Sequence, residues 1–499
     1  MLMKPDRRQF LRIFGIGAAG VLGCGPSDDP GDPAGPSGDF VVPPLDEGEL
    51  VGGVRVFRLR LQTGTVEWVP GAPTETFGAN GDLLGPTLRL VRGEPVRIEV
   101  ENGLAVTTTL HWHGLQVPAR ADGGPYQTIA PGARWTSDFD VVQRAMTAWY
   151  HPHPMHETAR HVYMGLAGMI VVDDPALATE LPHTYGVDDL PIIIQDRRLS
   201  ADGTHPYSPG KTPGMHDMMS GLRGETLLVN GRITPHAVVP RGLVRLRVLN
   251  GSNARIYHLG FADDRTFLHV GSDGGLLSAP VETRRVLVAP GERVELLVDF
   301  ADARPVELRS YSGEVFDSLY TGMMGANLTD ALDRGTFPIM TFEPGTDAAP
   351  VATAPAAFDP VVREPESEAV RTRPISMAMQ MGGFTLNGAR MTDLANVPAA
   401  LDLRIKAGEV EVWSVANTSG VAHPLHVHNR HFQILDIDGQ PPPPELAGWK
   451  DTTIIRPGRV VRLLVRFEGT PDTERPYLFH CHILEHEDMG MMGRFFLVA

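Results

Sequence analysis

Cysteine is scarce in this sequence, which has two in 499 residues, Cys24 and Cys481. Two cysteines exclude a fold stapled by several disulfides, whatever compartment the protein occupies. Basic side chains are also in deficit, because 44 Lys and Arg face 60 Asp and Glu and give a formal net charge of −16. Nucleic-acid binding needs Lys and Arg clustered on one face, so we expect no nucleic-acid partner.

Long helical and long apolar segments are lacking as well. Hydrophobic residues make up 42% of the chain and charged residues 21%, and 54 Gly and 43 Pro interrupt short β-branched runs. This composition is typical of a globular protein rich in turns, and we predict an all-β fold. A chain of 499 residues exceeds one hydrophobic core, so we expect several domains.

The N-terminus resembles an export signal. In "KPDRRQFLRIFGIGAAGVLGCG" (4–25), paired arginines precede an apolar run that is short for a membrane span, which is similar to a twin-arginine signal. The run ends in "VLGC", similar to a lipoprotein cleavage box. We therefore predict a signal over 1–23, a lipid on Cys24 that anchors the exported protein in the cell envelope, and a flexible tether over 24–44. The alternative is an ordinary cleaved leader with an incidental cysteine.

Three stretches repeat one pattern, a Gly turn followed by an alternating apolar strand and a terminal Asn. They are "RGEPVRIEVEN" (92–102), "RGLVRLRVLN" (241–250) and "AGEVEVWSVAN" (407–417). A spacing of about 150 residues is typical of repeated domains and is too long for a solenoid. We predict three similar β-sandwiches over 45–175, 185–345 and 370–499, with an interdomain linker over 346–369.

Histidines form four His-x-His pairs. Because successive side chains of a strand point to opposite faces, two histidines separated by one residue can both face one metal. A single pair is as readily explained by two solvated histidines on a surface strand, but four pairs argue against that explanation. The pairs are His111 and His113, His151 and His153, His426 and His428, and His480 and His482.

Cys481 lies between the two histidines of the last pair, so its side chain faces the other way and should join a different metal. His486 and a methionine follow it closely, and His423, out of phase with the third pair, can add a second imidazole. Two His, one Cys and a weak axial Met describe a blue-copper electron-transfer centre. Structural zinc sites are the alternative, but they close at four ligands.

The eight paired histidines suit three further copper ions, which with the blue centre make four one-electron sites. Four electrons are needed to take dioxygen to two waters, so the ligand set predicts an oxidase. Either Met491 or Met492 can supply the axial sulfur, although methionine is often a core residue instead.

"HWHG", "WYHPHP", "HPLHVH" and "HCHILEHEDMGMM" resemble, in order and spacing, the copper signatures of multicopper oxidases of the laccase type. The resemblance covers essentially the whole chain after the leader and implies three cupredoxin-like Greek-key β-sandwich domains with four copper ions. A trinuclear cluster would lie between the first and third domains. It implies type 1 ligands His423, Cys481, His486 and axial Met491, type 2 ligands His111 and His426, and type 3 ligands His113, His151, His153, His428, His480 and His482.

The resemblance also implies that Asp122 and Glu487 lie near the cluster and deliver protons to reduced oxygen. Solvated surface carboxylates are the alternative. The expected partners are dioxygen and a small-molecule reductant. The resembling cuprous oxidases have an acid and a methionine where this chain has Ser419 and Val421, so we favour phenols and aromatic amines over Cu(I).

Methionine clusters at 215–219, 322–325 and 377–381 leave a cuprous oxidase or a copper-tolerance protein open as alternatives. A copper-free scaffold protein would be expected to lose ligands, and this chain keeps all of them. Nitrite reduction on a related fold is a weaker alternative, because the complete set of eight paired histidines favours a trinuclear cluster.

Overall fold

A computed structural model describes residues 37–177 and 180–499. The predicted signal, Cys24 and most of the predicted tether lie outside these residues. Among the helices described, none is both long and apolar enough to cross a membrane.

The first part of the chain forms two sheets that face each other. After β1 (Ser37–Asp39), which belongs to the sheet of the second sandwich, its elements are β2 (Leu45–Asp46), β3 (Glu49–Val51), β4 (Val54–Val69), β5 (Ala72–Ala79), β6 (Thr87–Val91), β7 (Pro95–Asn102), β8 (His111–His113), β9 (Arg134–Asp140), β10 (Met146–His151), helix α1 (Thr158–Tyr163) and β11 (Gly168–Asp173). One sheet has the order β2-β6-β11-β10-β8, and the other has the order β3-β4-β7-β9 with β5 paired to β4. We call this unit the first sandwich.

The second sandwich consists of β12 (Asp189–Arg197), α2 (Met215–Ser220), β13 (Thr226–Val229), β14 (Arg232–Arg241), β15 (Leu243–Asn250), β16 (Tyr257–Phe261), β17 (Phe267–Ser272), β18 (Gly275–Thr283), β19 (Val286–Val288), β20 (Arg293–Asp299), β21 (Val306–Ser310), α3 (Ser312–Leu319), α4 (Gly322–Asn327) and β22 (Phe337–Ala348). It differs from the other two sandwiches because its strands form one continuous twelve-stranded sheet, in the order β18-β17-β20-β15-β12-β13-β14-β22-β21-β16-β19 with β1 paired to β14.

The third sandwich consists of β23 (Ala369–Gln380), β24 (Gly383–Leu386), β25 (Asp402–Lys406), β26 (Val410–Asn417), β27 (His423–Val427), β28 (Phe432–Ile437), β29 (Thr452–Ile455), β30 (Val460–Arg466), β31 (Asp472–Cys481), α5 (Leu484–Asp488) and β32 (Met492–Val498). Like the first, it has two five-stranded sheets, in the orders β24-β23-β26-β30-β28 and β25-β32-β31-β27-β29. The all-β prediction is confirmed. The predicted residue limits of the three domains remain predictions.

Each repeated stretch is a central strand that ends in the same asparagine motif. The alternation in β7 buries Val96, Ile98 and Val100 between the sheets, as period-two patterning requires. The amide of Asn102 donates to the Val106 carbonyl of the following loop at 2.9 Å and to the more distant Ile129 carbonyl at 2.8 Å, and its oxygen accepts a backbone N–H two residues on. Asn250 and Asn417 make the corresponding bonds. The motif satisfies loop backbone groups that burial would otherwise leave unpaired.

The segments predicted as tether and linker both contain residues that pair or pack with the second sandwich. Within the predicted tether, β1 pairs with β14 and the N–H of Phe40 donates to the His236 carbonyl at 2.8 Å. The predicted limits of the tether remain predictions. The predicted linker over 346–369 also contains structure, because β22 continues to Ala348 and buried Val351 and Phe358 pack against the second sandwich. Backbone pairing and the burial of apolar side chains give a defined structure to segments whose composition is typical of linkers.

Candidate metal centre

Two antiparallel strand pairs bring the histidine pairs together between the first and third sandwiches. In the first sandwich β8 pairs with β10, so His111 lies opposite His151. In the third sandwich β27 pairs with β31, so His426 lies opposite His480. All eight paired histidines are buried. None of the buried groups of possible metal ligands in the described ranges includes a residue from β12 to β22.

Strand alternation accounts for the first pair and for Cys481. His111 and His113 lie within β8 and face the centre, whereas Trp112 between them points into the sandwich and donates to the Ser137 hydroxyl at 3.0 Å. The other pairs straddle strand ends, since β10, β27 and β31 stop at His151, Val427 and Cys481. Tertiary packing, more than the strand period, aims the second histidine of those three pairs.

Imidazole nitrogens from the two sandwiches approach each other closely. His480 Nε2 lies 3.3 Å from His153 Nε2 and 3.2 Å from His428 Nε2. The His111 and His428 rings stack with centroids 3.8 Å apart, and those of His113 and His426 with centroids 3.6 Å apart. These contacts bring together His153, His428 and His480, three of the six histidines that the resemblance implies for the type 3 pair.

Hydrogen bonds on one ring nitrogen leave the other free for a metal. Nδ1–H of His111 donates to the Asp122 carbonyl at 2.8 Å, and Nδ1–H of His426 donates to the Asp451 carbonyl at 3.0 Å. Within the described residues, Nε2 of both rings and Nε2 of His151 are buried and have no hydrogen-bond partner. Buried nitrogens without partners are costly unless an ion uses their lone pairs, so the donor set fits metal binding.

Burial also sets the charge of these imidazoles. Removal from water disfavours the protonated form, and for His486 it lowers the pKa to about 3. Neutral imidazole is the form that binds metals. The same direction holds for His111, His113, His151, His153, His423, His426, His428 and His482.

The two predicted acids are buried against the histidines. Asp122 Oδ2 accepts from His428 Nδ1 at 2.9 Å, and burial raises the pKa of this carboxyl to about 8. Glu487 lies 3.2 Å from His153 Nδ1 and 3.1 Å from His480 Nδ1. Burial raises the Glu487 pKa, but the two imidazoles outweigh it and lower the pKa to about 2. The two carboxyl groups therefore differ in proton affinity. The alternative of solvated surface carboxylates is wrong for both.

The sulfur site lies on the other side of β31. Cys481 Sγ is 3.4 Å from His423 Nδ1 and 3.7 Å from His486 Nδ1, and all three side chains are buried. Burial raises the pKa of the thiol, so only a bound cation would favour the thiolate. Met491 is buried in the same core, and its carbonyl accepts the Cys481 N–H at 3.0 Å.

Three groups contact the imidazoles of the sulfur site in ways that the sequence did not predict. Phe384 packs against both imidazoles, with ring centroids 4.7 Å from His423 and 4.3 Å from His486. Ser419 Oγ accepts from His423 Nε2–H at 2.9 Å. The carbonyl of Met219, in α2, accepts from His486 Nε2–H at 3.0 Å. Nε2 of His423 and Nε2 of His486 are therefore both hydrogen-bonded, which turns Nδ1 of each ring toward Cys481.

Three further residues lie at the histidine cluster, although the sequence assigned them no role. Asp451 and Thr452 contact His113 and His426, and Trp149 stacks on His151 with centroids 4.1 Å apart. "WKDT" lacks a recognisable ligand spacing, and the Trp149 position is defined only by the pairing of β10.

Family models for multicopper oxidases match residues 60–177 and 367–498, the two parts of the chain that supply the clustered side chains. The multicopper oxidase mco of Staphylococcus aureus is 34% identical over 454 residues, which cover 90% of each chain. The chain belongs to the multicopper oxidase family. As a multicopper oxidase it is expected to bind copper, and the unpaired nitrogens and the sulfur site fit that metal.

A solved structure of this multicopper oxidase family gives the same fold. The laccase-like CueO from Ochrobactrum sp., described as having oxidase activity towards lignin model compounds and lignosulfonate, superposes with a TM-score of 0.82 at 36% identity over 92% of this chain and all of that one. The three sandwiches are therefore cupredoxin-like domains. The cell division protein FtsP of Escherichia coli is 34% identical over 99% of this chain and 98% of that protein, so relatives with different names share the fold.

Proposed function

We propose that this multicopper oxidase is laccase-like, oxidising phenols or aromatic amines one electron at a time and reducing dioxygen to water. The observation that carries the proposal is the complete ligand set, with eight buried imidazoles in one cluster and a separate buried His423, Cys481 and His486 group. We assign the latter group, with Met491, to a type 1 copper. The eight imidazoles would hold a type 2 copper and a type 3 pair, with the division of ligands given above.

Bound coppers would supply one-electron redox chemistry, so that four substrate oxidations match the reduction of one dioxygen to two waters. The protein supplies the connection between the sites. Cys481 is covalently joined to His480 and His482, so a single peptide segment links the sulfur site to the histidine cluster. The Cys481 N–H donates to the Met491 carbonyl and the His482 N–H to the Pro424 carbonyl, while the Cys481 carbonyl accepts from His480 Nδ1–H, which holds this segment in the third sandwich.

Asp122 and Glu487 are proposed to supply protons to the oxygen site. Asp122 is buried beside His428, and the raised pKa of its carboxyl favours a bound proton near neutral pH. Glu487 lies 3.2 Å from His153 Nδ1 and 3.1 Å from His480 Nδ1. Two carboxyl groups of different proton affinity, each against different imidazoles of one cluster, suit successive proton transfers.

The substrate preference rests on the residues beside His423. Ser419 and Val421 are buried, and the Ser419 hydroxyl is occupied by its bond to His423, so neither offers an exposed soft or anionic ligand for Cu(I). The reported activity of the Ochrobactrum relative towards lignin model compounds supports the same substrate class. Oxygen uptake with a methoxyphenol and with stabilised Cu(I) tests the proposal. A clearly larger kcat/KM for Cu(I) would overturn it.

A cuprous oxidase is the second candidate, and one observation favours it. Two of the methionine clusters lie near the sulfur site. In α2, the Met219 carbonyl accepts from His486 Nε2–H. Just before α4, the Thr321 N–H donates to the carbonyl of Gly420, the neighbour of Ser419. Met215 is 73% exposed and Met323 is 86% exposed. Exposed thioethers are suitable Cu(I) ligands. If replacing Met215, Met218 and Met219 by Leu lowers kcat/KM for Cu(I) but not for the phenol, this candidate is favoured.

We also propose export to the cell envelope, on the basis of the twin-arginine-like leader, with a lipid anchor at Cys24. Both features lie outside the described residues, and the support for them is the sequence pattern.

A further inference from the structure

The second sandwich supplies no predicted copper ligand, yet two of its residues reach the histidine cluster. Gly291, at the turn before β20, packs so closely that a Cβ there would lie 2.9 Å from the His482 ring, and its φ of +82° also favours glycine. Arg293, the first residue of β20, is buried and extends toward Asp451 of the third sandwich. The contact between these sandwiches therefore lies directly behind the cluster.

Asp451 and Thr452 determine which nitrogens of two imidazoles are free. Nε2–H of His113 donates to Asp451 Oδ1 and Thr452 Oγ1, each at 3.1 Å, so Nδ1 of His113 is buried without a partner. In His426 the orientation is reversed, because Nδ1–H donates to the Asp451 carbonyl at 3.0 Å and Nε2 is left free. One dipeptide thus presents opposite nitrogens of two stacked rings.

Arg293 holds this dipeptide in place. Its Nη1 and Nη2 donate to the two carboxylate oxygens of Asp451 at 2.8 and 2.5 Å, and its remaining donors reach the carbonyls of Thr147, Gly291 and Asp273. The Asp273 carboxylate in turn accepts the N–H of Thr452 at 3.2 Å and the Lys450 ammonium at 3.0 Å. A planar guanidinium fork can satisfy both carboxylate oxygens at once, which an ammonium cannot.

We propose that Arg293 is a positioning residue for the trinuclear copper cluster, which it serves by fixing Asp451 and thereby the free nitrogens of His113 and His426. The proposal rests on the copper assignment made above. It gives the second sandwich a part in copper binding without a copper ligand. Partners that orient metal-binding histidines commonly change metal affinity by about 10- to 100-fold when they are replaced.

Arg247 offers a matched control for a purely structural role. It is another buried arginine between the first and second sandwiches, and it forks onto Asp189 at 2.7 and 2.9 Å. It also bonds to the side chain of Thr147, the residue whose carbonyl accepts from Arg293. Unlike Arg293, Arg247 makes no hydrogen bond to Asp451 or Thr452 within the described ranges, since its side chain bonds to Asp189, Thr147 and Glu295.

The experiment compares Arg293→Lys and Arg247→Lys in the copper-loaded protein, by copper content, chelator competition and the paramagnetic resonance spectrum of the type 2 copper. For Arg293→Lys we expect a roughly 10- to 100-fold weaker trinuclear affinity and an altered type 2 spectrum, with the type 1 colour retained. Arg247→Lys should keep the wild-type spectrum and affinity even if its melting temperature falls. Wild-type copper affinity and spectrum in Arg293→Lys, or the same losses in both variants, would overturn the proposal.

Asp451→Asn gives a second test if Arg293→Lys does not fold. The amide keeps the shape of the side chain but loses the charge that Arg293 and His113 share, so the same trinuclear sites should weaken. A fully loaded Asp451→Asn protein with wild-type affinity would overturn the proposal. The copper content of the wild-type protein distinguishes failure of the proposed function from failure of the Arg293 proposal. A wild type without trinuclear copper would refute the proposed function. A fully loaded wild type with unaffected variants would refute only the role of Arg293.

Discussion

Replacing Ser419 by Ala should loosen the sulfur site without touching a predicted ligand. The hydroxyl accepts from His423 Nε2–H at 2.9 Å and can donate to Asn417 Oδ1 at 2.8 Å or to the Val421 carbonyl at 3.0 Å. His423 is buried, so in the variant its N–H has no acceptor and no access to bulk water. An unsatisfied buried donor costs about 1 to 3 kcal/mol, which we expect as the loss in free energy of unfolding.

The same change should alter copper binding at the type 1 site. Without its acceptor the His423 ring is a weaker donor and is free to turn away from Cys481. We expect a type 1 affinity about 10- to 100-fold lower, or about 1.4 to 2.7 kcal/mol. A weaker imidazole destabilises Cu(II) more than Cu(I), so the reduction potential should rise.

The assay is a redox titration that follows the blue absorbance, together with chemical denaturation of the copper-loaded protein. Thr418→Ala is the matched control, because the neighbouring hydroxyl is exposed and makes only a 3.4 Å contact with the Met377 carbonyl. If Ser419→Ala keeps the wild-type potential and copper affinity, Ser419 does not orient His423 and the reasoning fails.

Four further predictions follow from the proposed sites. Cys481→Ser should abolish the blue colour and substrate oxidation while the trinuclear sites still fill, and a blue variant would refute the type 1 assignment. Met491→Leu should keep the colour and raise the type 1 potential in a redox titration, because a weak sulfur donor to Cu(II) is lost, and an unchanged potential would indicate Met492 or no axial sulfur. Asp122→Asn should slow oxygen uptake by about 100-fold or more while single-turnover reduction of the blue copper proceeds at the wild-type rate, and undiminished oxygen uptake would refute its role as proton donor. Mass spectrometry of the mature N-terminus should show lipid on Cys24, whereas an unmodified peptide starting beyond it would indicate an ordinary cleaved leader.

The sequence by itself determined the fold class, the three repeats and the candidate ligands, because these depend on local spacing. Two histidines one residue apart in a strand face the same way, so "HWH" could be interpreted without a partner strand. Cys481 could be assigned to a separate site by the same rule. The repeated Asn likewise follows from short-range bonds to its own loop, at Asn102, Asn250 and Asn417.

Only the tertiary structure decided which nitrogen of each imidazole is free and what holds it there. His113 and Asp451 are 338 residues apart in the chain, and Arg293 and Asp451 are 158 apart and lie in different sandwiches. The bond from His486 to the Met219 carbonyl spans 267 residues. No period or motif encodes such contacts, because they arise where different sandwiches meet and buried polar groups must find partners across the interface. The placement of β1 has the same origin, since it depends on pairing with β14, nearly 200 residues later in the chain.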